Sequence, residues 1–291
     1  MDYIFYILIL VNIYIILAVS LNLLMGFTGL ISMAHAGFMA IGAYTTTIFL
    51  TRFGVNFLLT IPLGMAIAGM VSTLLALPSL RVKGEHYMIA SFGLQIILYS
   101  ILLNWVSLTN GPYGFSGIPK PHILGYTFST YGAYWVLASG ITAVCVFLIW
   151  RITRSRFGLI LKALREDEIA TACLGKNVKQ FKVVVFVVGS SIAAVAGSLY
   201  ATAISFIDPF CFTVHDSIFM LAIVIIGGTG NIFGSILGAF ILISLPELLK
   251  FLQVSETIAA PLRQMIYGAL LVLFMRFRPQ GILPEYQGKR E

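Results

Sequence analysis

Apolar runs separated by short polar or glycine-rich stretches follow one another along almost the whole chain. Such runs predict membrane-spanning helices, although several fall short of the ~20 residues that a helix needs to cross a bilayer. We therefore expect an all-α integral membrane protein with about nine transmembrane segments, within a range of eight to ten, folded as one domain over residues 1–291. The predicted segments cover residues 4–24, 32–50, 58–79, 87–108, 133–150, 183–206, 213–227, 233–250 and 258–275.

Glycine interrupts the pattern between the segments at 213–227 and 233–250, where the chain reads Gly227-Gly228-Thr229-Gly230-Asn231. Two interpretations are open: a pair of short spans, or one broken and partly re-entrant element. The stretch Met25–Gly37 aligns without gaps to Ile226–Gly238, with five identities that include Gly29 with Gly230. Broken helices in corresponding places of an internal repeat point to a translocation path, although chance would also explain so few matches.

Small residues recur every four positions at Gly189, Ala193, Gly197 and Ala201. This spacing places them on one helix face, where they let helix backbones approach closely in lipid. Tight packing explains the pattern, and a sliding face in a moving transporter would need the same packing.

Composition agrees with a multi-pass protein of the cell membrane. Hydrophobic residues make up 59% of the chain and charged residues 10%, against about 25% charged in soluble domains. The net charge of +7 is assigned to loops that follow membrane topology, not to nucleic-acid binding. Residues 1–20 lack a basic leader and a cleavage site, and are expected to remain as the first span.

Charge also predicts the orientation. The polar segment 151–182 holds eight of the eighteen Lys and Arg residues, so it is expected to be a water-exposed loop in the cytoplasm. Alternation of the nine segments then leaves fourteen basic residues inside and four outside, with the N-terminus outside and the C-terminus inside. The inside set comprises the eight of this loop with Arg81, Lys83, Arg276, Arg278, Lys289 and Arg290, and the outside set is Arg52, Lys120, Lys250 and Arg263.

Within this loop, apolar residues at helical spacing flank the acidic run Glu166–Glu168 and predict a short amphipathic helix around Leu161–Leu174. Such a helix either lies in the groove of a partner protein or rests on lipid headgroups. Gly175 is expected to end it, because glycine tolerates the left-handed cap conformation.

Signals of an enzyme are poor. The chain has no phosphate-binding Gly-x-x-x-x-Gly-Lys-Ser/Thr motif. His35, His86, His122 and His215 are isolated in sequence and suggest no metal site. A secondary transporter or channel without ATP would need charged residues within spans, and these are scarce, while a membrane enzyme lacks a catalytic cluster.

Polar residues within the predicted spans are the better lead, because each needs a partner or an aqueous cavity. His35 either bonds to a neighbouring helix and holds packing, or lines a substrate path. The candidates for that path are Asn22, Gly29, Ser32, His35, Asn104, Gly228 and Gly230, with Glu247 expected to reach interfacial water.

The segment Thr109–Pro119 falls outside in this arrangement and is rich in glycine and proline, which dictate turns. It is a candidate for a shaped outer mouth that receives substrate or a partner. Its glycines at the mouth are Gly111, Gly114 and Gly117.

Five stretches together resemble the permeases of branched-chain amino-acid ABC importers, and the longer of the two partner permeases in particular. The central one runs from Ser155 to Ala201 and contains the Ala-Leu-Arg-Glu-Asp-Glu core. Thr109-Asn110-Gly111 stands where the family usually has Thr-Gly-Gly, and Cys173 where a small residue is common. The others are SLNLLMGFTGLISMAHAGFMAIGAY, LRVKGEHYMIASFGLQIIL, TNGPYGFSGIP and the pair IIGGTGNIFGSILGA and FRPQGILP.

The resemblance implies a permease subunit in a heteromeric importer that works by alternating access. Its partners would be a second permease, two ABC ATPase subunits and an extracytoplasmic substrate-binding protein. ATP and Mg²⁺ would be used by the ATPases, with no cofactor and no enzymatic activity in this chain. Substrate would be a branched-chain amino acid, or alternatively urea, an amide or another small solute. The cytoplasmic loop would carry the coupling helix, formed by Leu164, Arg165, Glu166, Asp167, Glu168, Ile169 and Gly175.

Overall fold

The computed structural model describes residues 2–79, 85–123, 126–251, 256–278 and 281–283. Long helices dominate it, and eight of the nine predicted apolar segments each fall largely on a single helix, the exception being 87–108. Glu247 has no described side chain, and Arg81, Lys83, Lys289 and Arg290 lie outside the described residues. The helices are α1 (Asp2–Thr28), α2 (His35–Phe53), α3 (Phe57–Ser79), α4 (Glu85–Asn104), α5 (Val106–Thr109), α6 (Tyr131–Thr153), α7 (Arg156–Glu166), α8 (Glu168–Cys173), α9 (Val178–Ile204), α10 (Val214–Gly227), α11 (Ile232–Phe251) and α12 (Glu256–Phe277).

Six helical stretches in the described part of the chain are long and apolar enough to cross a membrane. The helices at Ile232–Leu245 and Met265–Phe274 are apolar but shorter. The chain is therefore a multi-pass, all-α membrane protein. The six are Asp2–Thr28, Phe57–Leu74, His86–Asn104, Tyr131–Thr153, Val178–Ile204 and Pro209–Gly227.

Small residues bring the central helices together. Helix α9 packs on α1, α2 and α3, while α1 also packs on α6, α10 and α11. A Cβ atom at Gly189 would collide with Leu24 of α1, and one at Gly197 would collide with the backbone of Met39 in α2. The packing interpretation of this glycine face is therefore confirmed.

The predicted segment at 87–108 is not one helix, because α4 ends at Asn104 and Trp105 separates it from α5. The segment predicted at 32–50 starts later, since α2 begins only at His35. Helices α10 and α11 form a packed pair on either side of Gly228 and Gly230, so this part of the chain consists of two helices joined by a glycine-containing turn.

Loops gather at two ends of the helix bundle. The basic end is formed by residues 25–34, 151–177, 228–231 and 281–283. Two hydrogen bonds help to join these segments: Arg165 donates to the carbonyl of Gly26, and the Ile282 N–H donates to the carbonyl of Ile226. The opposite end is formed by residues 52–56, 105–123, 126–130 and 205–213. There β1 (Phe115–Ser116) pairs antiparallel with β4 (Phe206–Ile207), and β2 (His122–Ile123) pairs with β3 (Tyr126–Thr127).

Candidate functional site

The end of α1 meets the α10–α11 turn through the buried side chain of Asn22. Its amide nitrogen donates to the Asn231 carbonyl at 2.9 Å and to Ser235 Oγ at 2.8 Å. Its amide oxygen accepts the Gly230 backbone N–H at 2.8 Å. Close approach is possible because Gly26 has no side chain, since a Cβ there would collide with the Gly230 backbone.

The cytoplasmic-loop candidate Arg165 reaches the same place. Its guanidinium donates to the carbonyl of Gly26 at the end of α1. Gly29 lies beside it and adopts a left-handed backbone with φ of 72°. Together Asn22, Gly26, Gly29, Arg165 and Gly230 form a cluster that we call the inner junction.

The loop itself differs from the single helix expected around Leu161–Leu174. Asp167 adopts an extended conformation with φ of −154° and ψ of 113°, so α7 ends at Glu166 and α8 begins at Glu168. The Asp167 carboxylate accepts the backbone N–H groups of Ile169 and Ala170 at 2.7 and 3.0 Å. An aspartate in this position is a favourable N-cap, which competes with helix continuation.

Apolar residues of the loop divide into two groups. Leu164, which the family resemblance assigns to the coupling helix, is 1% exposed and packs within the chain itself, so its side chain is not available to a partner groove. Ile169 is 73% exposed and Leu174 is 76% exposed. Gly175 follows with φ of 75°, as its predicted role in ending the helix requires.

An ion pair fixes α8 to the central helix α9. The ammonium group of Lys182, on α9, pairs with the carboxylate of Glu168. Because Lys182 is buried and Arg165 reaches α1, the loop is attached to both α9 and α1.

His35 starts α2 deep within the bundle. Its Nε2 lies 2.9 Å from Ser20 Oγ, and Ser20 itself donates to the Leu17 carbonyl. Ser20 lies eight residues before the end of α1, which at ~1.5 Å per residue is about 12 Å below that end. The interhelical bond is present as the packing interpretation expects, while the buried Nδ1 has no partner among the described residues.

Side chains from other helices satisfy the first backbone N–H groups of α2. Ser217 Oγ accepts from Ala36 at 3.0 Å, and Gln95 Oε1 accepts from Gly37 at 2.7 Å. Gln95 also donates to the Phe212 carbonyl at 2.9 Å. Sequence reasoning missed Gln95 and Ser217, although a glutamine inside an apolar segment is itself a signal of a required partner.

The remaining path candidates lie apart. Ser32 is buried in the non-helical stretch before α2. Gly228, with φ of 119°, packs against the backbone of Leu283. Asn104 does not lie inside the bundle: it is exposed at the end of α4 and donates to the carbonyl of Ser100 one turn earlier.

The predicted mouth lies at the opposite end. Gly111, Gly114 and Gly117 all have positive φ, of 54°, 65° and 72°, and a Cβ at Gly114 would collide with the backbone of Ile207. Arg52 donates to the carbonyls of Ser107 and Leu108 beside this segment. The three glycines therefore permit the turns and the contact between β1 and β4.

Lys120, in the same end, donates to the carbonyls of Thr202 and Ala203 at the end of α9. Partial burial lowers the pKa of this ammonium because desolvation disfavours the charged form. The cation also satisfies carbonyl groups that a helix leaves unpaired at its C-terminus.

The family model described as "Branched-chain amino acid transport system / permease component" matches residues 3–275. The high-affinity branched-chain amino acid transport system permease protein LivM of Escherichia coli (strain K12) is 35% identical over 94% of this chain and 68% of its own length. The probable LivM of Methanocaldococcus jannaschii is 26% identical over 94% of this chain and 91% of its own. The high-affinity branched-chain amino acid transport system permease protein LivH of Escherichia coli (strain K12) is 26% identical over 93% of this chain and 91% of its own length.

Proposed function

We propose a transport role for this chain on the premise that it belongs to the family of branched-chain amino acid transport system permease components. The chain is a membrane permease subunit for branched-chain amino acids. The observation that carries this function is the family match over residues 3–275. The higher identity to LivM, 35%, than to LivH, 26%, favours the LivM type of subunit.

Uptake of labelled leucine, isoleucine and valine tests this function. A strain that lacks the gene for this chain is compared with the same strain carrying it on a plasmid. The complemented strain is expected to regain saturable uptake of these amino acids. Urea and a short-chain amide belong in the same panel, since uptake of one of these alone would contradict the branched-chain substrate class.

The proposal extends to a complete importer. The chain works with a second permease, two ATPase subunits that use ATP and Mg²⁺, and a binding protein outside. Nine crossings run between the two ends of the bundle, with the basic end in the cytoplasm, as the excess of Lys and Arg there supports. The segments Val214–Gly227 and Ile232–Phe251 supply two of these crossings.

Coupling to the ATPases uses α8 and the residues beside it. Ile169 and Leu174 offer exposed apolar surface next to the carboxylates of Glu166 and Asp167. Burial of apolar area on a partner contributes ~25 cal/mol per Å², and the carboxylates orient the fit. Ile169 and Leu174, which we call the docking pair, replace Leu164 as the candidate contact with the ATPase.

Movement at the docking pair would reach the membrane through two attachments. The Glu168–Lys182 ion pair joins α8 to α9, and Arg165 joins α7 to the end of α1. Asn22 then links α1 to the α10–α11 turn. A displacement of the loop would therefore act on both glycine-containing breaks of the bundle.

The double substitution Ile169→Glu with Leu174→Glu tests the docking pair. It is expected to reduce co-purification of the ATPase subunits and to abolish stimulation of ATP hydrolysis by the loaded binding protein, because it places charges in an apolar contact. Substitution of Glu168 is less suitable, since it would also break the internal pair with Lys182.

Tyr113→Glu provides the matched control, because Tyr113 is also an exposed large side chain but lies at the opposite end. The control is expected to keep normal co-purification. If the double variant retained its ATPases and full stimulation, α8 would rest on lipid headgroups and the docking proposal would be wrong.

A further inference from the structure

A small cavity opens between the C-terminal end of α6 and the N-terminal end of α11. Its volume is about 170 Å³. Phe27 of α1 forms its buried floor, as both flanking helices pack on α1. The lining residues are Phe27, Trp150, Thr153, Arg154, Lys162 and the run 230–233.

The charge of this cavity is positive. Arg154 lies over the ring of Trp150 at 4.7 Å, and Lys162 lies over the ring of Phe27 at 5.6 Å, so both cations are held beside aromatic walls. No acidic side chain is among the residues that line it. The start of α11 adds the partial positive charge of a helix N-terminus, with Phe233 N–H donating to the Asn231 side chain at 3.0 Å.

The surroundings of the cavity are apolar. Trp150 and Phe147 stack at 5.9 Å on one side of α6, and both are exposed. Phe233, on the other wall, is 66% exposed. A free anion would gain nothing from these aromatic surfaces, whereas an amphipathic molecule would cover them with its chains while its head enters the cavity.

The place in the bundle fits the same ligand. The cavity lies at the basic end, on helices that carry exposed aromatic residues near the ends of their apolar segments, and such residues are typical of the membrane interface. Basic pockets between membrane helices on the cytoplasmic side suit anionic headgroups, and the cytoplasmic leaflet supplies anionic lipids.

We propose that this cavity binds the headgroup of an anionic phospholipid from the inner leaflet. The lipid phosphate lies between Arg154 and Lys162, and the acyl chains descend along Trp150 and Phe233. Because Lys162 stands on α7 beside the inner junction, the bound lipid stabilises α7 against the end of α1. This inference concerns a lipid site and does not depend on which solute the chain imports.

Fluorescence quenching of Trp150 tests the site. The full chain carrying Trp105→Phe and Trp135→Phe keeps Trp150 as its single tryptophan, since the sequence has three. It is placed in phosphatidylcholine nanodiscs that contain a minor fraction of brominated lipid, either phosphatidylglycerol or phosphatidylcholine. Brominated phosphatidylglycerol is expected to quench Trp150 more strongly than brominated phosphatidylcholine at the same fraction. Each basic group in contact with the headgroup should enrich the anionic lipid near Trp150 about fivefold, because each contributes about 1 kcal/mol.

Substitution of the two cations is expected to remove this preference. Arg154→Gln with Lys162→Gln should bring quenching by the two lipids to the same level. Arg154→Gln alone leaves α7 unchanged and should lower the preference about fivefold. The ratio between the two lipids is measured within each variant, so a change in the intrinsic emission of Trp150 cancels.

Arg151→Gln is the matched control, because Arg151 is an exposed arginine at the same end of α6 that does not line the cavity. It should keep the preference. An equal loss in this control would show diffuse attraction to the surface and overturn the proposal. Removal of the preference by excess inorganic phosphate would assign the cavity to a free anion and would overturn the proposal. Absence of quenching by either lipid would show that protein covers this face, and it would overturn the proposal as well.

Discussion

Asn22 shows how one polar residue organises the basic end. All three of its side-chain hydrogen bonds cross to the α10–α11 turn, to Gly230, Asn231 and Ser235. These partners stand more than two hundred residues later in the chain. An amide that is fully paired in this way holds two helix ends together, and this accounts for its burial without a contact to substrate.

Asn22→Leu is expected to lower the melting temperature of the purified chain in detergent. The substitution leaves the buried Gly230 N–H without its acceptor, at about 1–3 kcal/mol, while the Asn231 carbonyl keeps the Ser235 N–H as a donor. Asn104→Leu is the control, because the Asn104 amide is exposed and bonds only within its own helix turn. The control should stay within about 0.5 kcal/mol of the parent. Equal melting temperatures for both variants would contradict the role of Asn22.

The two helix breaks share a conformation at corresponding positions. Gly29 after α1 and Gly230 after α10 both adopt left-handed backbones, with φ of 72° and 83°. These are the residues that the gapless alignment of Met25–Gly37 with Ile226–Gly238 places opposite each other. The shared geometry supports a common design for the breaks, and both meet at the inner junction.

Enlargement of either glycine is expected to impair uptake. Gly29→Leu acts beside Arg165, and Gly230→Leu acts against Asn22 and Gly26. Gly54→Leu is the control: φ is 61° there, but a Cβ meets no atom within 4 Å. All three variants carry the left-handed strain of about 1–2 kcal/mol. The difference in uptake between the two junction variants and the Gly54→Leu control therefore reports the effect of the inner junction alone. Uptake per assembled complex is measured, and equal uptake in all three would refute the role of the breaks.

At the scale of the whole molecule, the described loops separate into two ends that differ in their number of basic residues. Arg52 and Lys120 belong to the opposite end, where each caps backbone carbonyls. The eight basic residues of segment 151–182 belong to the basic end or the helix ends beside it. With the basic end in the cytoplasm, as proposed, this separation would follow the positive-inside rule.

Single-cysteine labelling tests that orientation in a background without Cys145, Cys173 and Cys211. In intact cells, an impermeant maleimide is expected to label Tyr113→Cys at the opposite end. Lys176→Cys at the basic end should react only after the membrane is made permeable. Both positions are exposed, so unequal reactivity reports sidedness. Labelling of Lys176→Cys from outside would invert the arrangement.

Sequence by itself determined the long apolar helices, their approximate limits, the glycine breaks and the family. These features depend on local properties: apolar length, helical hydrogen bonding within each segment, and the ability of glycine to adopt positive φ. The charge pattern likewise reports topology, because each basic residue contributes to sidedness without regard to its neighbours in space.

Tertiary structure alone decided which polar and apolar groups meet. It pairs Asn22 with Gly230, brings Gln95 to the start of α2, buries Leu164 and leaves Ile169 exposed. It also splits the predicted coupling helix at Asp167, whose carboxylate caps α8. The physical reason is that a buried donor or acceptor must find a partner wherever packing places one. Helix periodicity constrains which face a residue occupies, but not which distant helix covers that face.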